Sequence, residues 1–172
     1  MKTNAYIALL RAVNVGGTGK LPMTELKAMC EADGFQSVRT YIASGNVVFQ
    51  STKTEAQVKA VLEAALRKYA GKQVGVHIRT AAEMTAVLVA NPFPKMPGNR
   101  TVACFLDAAP PSDAANTVSN QAREELRLGL REIYIYYPDG QGDSKLKIPA
   151  AKTGTARNMN TIAKLAEMAA SL

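Results

Sequence analysis

One histidine, two cysteines and no tryptophan occur among the 172 residues of this chain. His77, Cys30 and Cys104 lie far apart and no C-x-x-C pair occurs, so the spacing of a Cys/His zinc site is missing and no metal or cofactor is indicated. Each cysteine sits in an apolar run and reads as a buried thiol of a reducing compartment. Long apolar runs are missing too. Met1-Lys2-Thr3-Asn4 leads into a strand pattern with no secretory core, and no later stretch approaches membrane-spanning length. The expected address is the cytoplasm, with no membrane partner. Acidic residues are scarce, 14 against 21 Lys and Arg, for a net charge of +7. The imbalance lies early: residues 1–79 hold 11 basic side chains against 5 acidic ones, and residues 80–172 hold 10 against 9. Such a balance fits anionic small molecules or nucleic acid as partners.

Catalytic constellations are equally thin. A Ser/His/Asp triad would have to use His77, which stands mid-strand between Val76 and Ile78. Carboxylates come as Glu124-Glu125, Asp139 and Asp143 in loops or hairpin turns. Ser44-Gly45-Asn46 and Lys152-Thr153-Gly154 fit the S-x-N and K-T-G of penicillin-binding enzymes, and are read as chance matches on the expectation that their nucleophilic S-x-x-K is absent.

What is present begins with Arg11-Ala12-Val13-Asn14-Val15-Gly16-Gly17-Thr18-Gly19-Lys20-Leu21-Pro22, a strand pattern running into a glycine-rich segment before a helix pattern. Bare backbone N–H groups, a helix N-terminus and Lys20 all favour negative charge. The phosphate-binding P-loop does not fit: aligned on Gly19-Lys20, it finds Asn14 in place of its first glycine and Leu21 in place of its Ser or Thr. The dinucleotide fingerprint also fails, because Pro22 stands where its third glycine belongs.

Periodicity predicts strand 5–13, helix 22–33, strands 38–43 and 47–50 around the Ser44-Gly45-Asn46 turn, helix 54–70 and strand 73–79. This βαββαβ order is that of a ferredoxin-like unit, so the fold class is α+β, with residues 1–79 as the first half. Residues 80–172 form a second, related α+β half: a helix from the Thr80–Glu83 capping box, strand 101–108, helix 113–122, a hairpin of 126–128 with 132–137, and a C-terminal helix 155–171 capped by Thr155. In such a unit strands one and two run parallel, so the Arg11–Lys20 loop and the Ser44–Asn46 tip are expected at one edge of the sheet. Arg39 is expected at the other edge, and Arg11 needs a partner for its charge.

Several stretches resemble a bacterial family catalogued as domain of unknown function 1697. They are Leu9–Gly17, Lys20-Leu21-Pro22-Met23, Arg39–Phe49, Tyr137-Pro138-Asp139-Gly140, Ser144-Lys145-Leu146 and Thr155–Thr161. The resemblance covers nearly the whole chain, departs from the family pattern at Ala12 and Met159, and implies an α+β fold of ferredoxin-like parts without an activity.

The leading functional expectation is an anionic or phosphate-bearing small molecule held between the two halves by Arg11, Asn14, Gly16, Gly17, Lys20, Ser44, Asn46, Arg157 and Asn158. Arg11 and Arg157 would clamp it. Arg157 enters this set because a cation in the first turn of the last helix opposes the helix dipole unless an anion sits there. Nucleic-acid binding by the basic first half and a protein-interaction module are the alternatives, although Val47-Val48-Phe49 lacks the aromatic pair of RNA-binding sheets. No nucleophile or base is nominated, so catalysis stays open, as does the oligomeric state.

Overall fold

The computed structural model describes residues 2–11 and 20–172. Its chain order is β1 (Asn4–Leu10), α1 (Met23–Ala32), β2 (Gln36–Tyr41), β3 (Asn46–Ser51), α2 (Glu55–Ala70), β4 (Val76–Thr80), α3 (Ala81–Val89), β5 (Thr101–Phe105), β6 (Glu125–Leu128), β7 (Glu132–Tyr136), β8 (Thr155–Asn158) and α4 (Met159–Ala170). The fold is mixed α+β with two four-stranded antiparallel sheets. Two compact units divide the chain, Met1–Thr85 with Lys164–Leu172 and Ala86–Ala163, so the boundaries fall inside α3 and α4.

In the first unit the strand order is β2-β3-β1-β4. Alternate residues Tyr6, Ala8 and Leu10 of β1 join Val47, Phe49, Val76 and Ile78 in a core closed by Leu26 and Cys30 of α1 and Val58, Leu62 and Leu66 of α2. The opposite parity of β1 is buried as well, since Ile7 and Leu9 are fully covered, as the continuous apolar run predicts. Phe35 and Phe49 stack at 4.4 Å inside the core. Helix α2 starts on a reciprocal capping box between Thr54 and Gln57 and stops at Gly71, whose φ of 72° only glycine takes without strain. On β2 an extra residue intrudes between the pairs Gln36–Gln50 and Arg39–Val48, a bulge at Ser37 with φ of 54°. Arg39 therefore sits mid-strand opposite Val48, and not at the far edge expected for it.

The second unit repeats the strand order as β6-β7-β5-β8. Its core, Val102, Cys104, Leu106, Leu126, Ile133, Ile135 and Tyr137, is covered by irregular chain through Val118, Leu146, Ile148, Ala150 and Ala151. The helix expected over 113–122 is replaced by one short 3-10 turn, Ala114–Asn116. Asp, Asn, Thr and Ser, frequent in this stretch, favour turns over helix; the Thr117 hydroxyl donates to the Ala114 carbonyl, and Asn120 takes a left-handed φ of 58°. The hairpin β6–β7 forms around Gly129 as expected.

Candidate functional site

At the end of β1 the Leu10 N–H donates to the Gly45 carbonyl at 2.8 Å, and the Arg11 N–H donates to the Gly75 carbonyl at 2.9 Å. Arg11 is thereby held at the sheet edge that carries the hairpin tip, as the parallel run of β1 and β2 requires. Its side chain is exposed. Lys20 is exposed as well, next to Leu21, which enters the core at 5% exposure. Asn14, Gly16 and Gly17 lie outside the described residues.

The tip itself spans Ile42–Gly45. Asn46 is fully buried, and its side-chain amide donates to the Tyr41 carbonyl and to Ser44 Oγ, both at 2.9 Å. These bonds tie the two strand ends together and account for an asparagine in a core position. Gly45 turns at φ of 90°, while Ile42 turns at φ of 49° with half its surface exposed. A β-branched residue in the left-handed region costs on the order of 1–3 kcal/mol. Sequence patterning gave no sign of it, because nothing in Tyr41-Ile42-Ala43 marks a positive φ.

Arg157 and Asn158 belong to the second unit. Contrary to the expected helix from Thr155, residues Thr155–Asn158 form β8 against β5, with Arg157 opposite Ala103 and Asn158 opposite Val102. Cross-strand pairing outweighs the Thr155 cap signal, and the true cap is Asn158, whose Oδ1 accepts the Thr161 N–H at 2.9 Å. Being a strand residue, Arg157 does not oppose a helix dipole, so that ground for an anion beside it falls away. Its guanidinium is buried, donates to Thr155 Oγ1 at 2.7 Å and to the Ala156 carbonyl at 3.0 Å, and burial pulls its pKa down to about 10.

A site the residue patterns did not single out lies elsewhere in the second unit, where a cavity of about 350 Å³ opens between residues 120–124 and 137–145. Two buried polar residues line it, Glu124 and Tyr137. The signal for it was the pair of short motifs Tyr137–Gly140 and Ser144–Leu146, which carried no chemistry until the fold brought them together with Glu124. Contrary to expectation, the S-x-x-K spacing is present, as Ser144-Lys145-Leu146-Lys147. Serine and lysine three apart become neighbours on a helix, but this segment is not helical and the Ser144 hydroxyl donates to Glu124. No penicillin-binding site is assembled.

Known proteins agree with this architecture. The family model described as "Protein of unknown function (DUF1697)" matches residues 3–134. The chain belongs to the DUF1697 family. A solved structure, that of the conserved bacterial protein SP0830 from Streptococcus pneumoniae, superimposes with a TM-score of 0.79 at 24% identity, over 98% of this chain and 99% of that one. That likeness concerns the fold alone. No functionally curated protein matches the chain. No helix among the described residues is long and apolar enough to cross a membrane.

Proposed function

We propose that this DUF1697 protein binds an anionic, phosphate-bearing small molecule at the loop edge of its first unit, and that this unit is ferredoxin-like. The observation that carries the reading is the fixed place of Arg11, whose N–H donates to the Gly75 carbonyl while the preceding Leu10 N–H donates to the Gly45 carbonyl, beside a hairpin tip that holds Ile42 in a strained, exposed conformation. Arg11 and Lys20 supply exposed cations at the two ends of the segment that contains Gly16 and Gly17. Ile42 offers an apolar surface for the organic part of the ligand. Both cysteines are free and buried, which suits a reducing cytoplasm. Nucleic-acid binding on the sheet is disfavoured, because Val47, Val48 and Phe49 are fully buried and present no ring for a base to stack on.

Melting curves of the wild type, Arg11→Ala and Lys20→Ala with inorganic phosphate, pyrophosphate and ATP test the site, with sulfate as a control. At a hundred times its Kd a ligand stabilises by about 2.7 kcal/mol, which for a chain of this size raises Tm by roughly 5–10 °C. The rise is expected in the wild type and lost in Arg11→Ala. Equal shifts in both proteins sink the site.

A further inference from the structure

Glu124 and Tyr137 are 9% and 8% exposed, and both face the cavity between residues 120–124 and 137–145. The Glu124 carboxylate accepts the Ser144 hydroxyl at 2.5 Å and the Ala122 N–H at 2.7 Å, and these donors hold it below the usual carboxylate range. Both donors are neutral, and no cation pairs with Glu124 among the described residues. Its hydrogen bonds favour the charged form, so this part of the cavity lining carries a negative charge. The Tyr137 hydroxyl makes no hydrogen bond among the described residues and is not closed off from solvent, so it is open to a partner. At the mouth stand Asp143 and Lys145, both exposed and neither ion-paired among those residues, whereas the neighbouring Asp139 is taken by Arg123 at 2.9 Å.

These groups define a ligand. The anionic Glu124 carboxylate attracts a cation, and the Lys145 ammonium and Tyr137 hydroxyl suit an acceptor. A metal ion is the poorer cation, because no group of three His, Cys, Asp or Glu able to hold one is found among the described residues. The volume of about 350 Å³ is at the small end of ligand pockets and suits a compact molecule. We propose that this cavity binds a small zwitterion of the amino-acid type, its ammonium on Glu124 and its carboxylate between Lys145 and the Tyr137 hydroxyl. Asp143 adds a second negative charge near the ammonium. The site is independent of the anion site proposed at Arg11.

Calorimetric titration of the full-length protein with the common amino acids, their N-acetylated derivatives, the matching decarboxylated amines, MgCl2 and CaCl2 tests the proposal. At least one amino acid is expected to bind, its N-acetyl derivative at least tenfold more weakly. Glu124→Gln should cost the amino acid at least tenfold, and Lys145→Ala should reduce its affinity to that of the bare amine. The proposal is overturned if no amino acid binds, if acetylation has no effect, or if Mg2+ or Ca2+ binds instead and is lost in Glu124→Gln. Should Glu124→Gln fail to fold, Lys145→Ala and Asp143→Asn decide on exposed positions, and unchanged affinity in both also overturns it.

Discussion

Thr80 and Asn158 occupy equivalent places in the two units. Each ends the fourth strand of its unit, and each accepts, through its side chain, the N–H three residues on: Glu83 for Thr80 at 3.1 Å and Thr161 for Asn158 at 2.9 Å. Strand and helix thus meet without a loop in both halves, and the strand's last residue serves as the cap. Replacing either residue by alanine should lower stability by about 1 kcal/mol in denaturant unfolding. Asn158→Asp should retain the wild-type value, because a carboxylate also accepts the bond and favours the helix N-terminus.

Asn46→Ala should destabilise more, by about 1–3 kcal/mol, because it leaves the Tyr41 carbonyl and Ser44 hydroxyl without the donors that satisfy them. Asn46→Asp should be no better, since the carboxylate cannot donate to the Tyr41 carbonyl. Urea unfolding of the two variants checks both statements, and a wild-type midpoint in either would count against the brace.

Gly154 is required for close approach. A Cβ there would stand 2.6 Å from Cys104 Sγ and 2.7 Å from the Phe105 carbonyl oxygen. Backbone on the central strand β5 cannot give way as a flexible side chain can, so Gly154→Ala should cost about 1–3 kcal/mol. Thermal unfolding measures it. A neutral result would mean that the 149–154 segment moves freely off the sheet.

Alkaline stability carries a definite sign. Burial pushes the Cys30 thiol up from 9.0 to about 12, and the Tyr134 and Tyr137 phenols up from 10.0 to about 12. Acids with raised pKa support the fold fully below their unfolded values and lose that support as pH rises towards the folded ones. Arg157 acts in the opposite sense, because its folded value of about 10 lies below 12.5 and stability from this group grows between the two. The urea midpoint should therefore fall from about pH 9, with Arg157 offsetting part of the loss above 10. Tyr137→Phe should make the decline shallower.

The first unit was legible because its signals are local. Thr54 and Gly71 bound α2 through their own side chain and φ, and the alternating burial of β1 follows from an apolar run whose both parities are covered. Thr80 and Glu83 announced α3 by spacing alone. The second unit was harder to read where polar residues compete for backbone partners. Residues 113–122 looked helical in outline, yet their Asp, Asn, Thr and Ser side chains favour turns. Thr155 looked like a cap because the partner strand β5, some fifty residues away, is invisible to a local pattern. Of the candidate binding set, strand order placed Arg11 beside the hairpin tip, whereas the local bracing of Asn46 and the internal bonds of Arg157 came only with coordinates.

Element order in the first half, the free thiols and the basic excess near the N-terminus are properties of neighbouring residues and composition, so the chain alone determined them. Tertiary structure decided the rest. Arg157 became a strand residue because hydrogen bonds to β5 outweigh a cap, and Ile42 takes a positive φ in the turn that joins β2 to β3. Glu124, Tyr137, Ser144 and Lys145 line one cavity only after the irregular chain on either side of the β6–β7 hairpin folds together. Long-range packing sets such positions, and no local propensity encodes them.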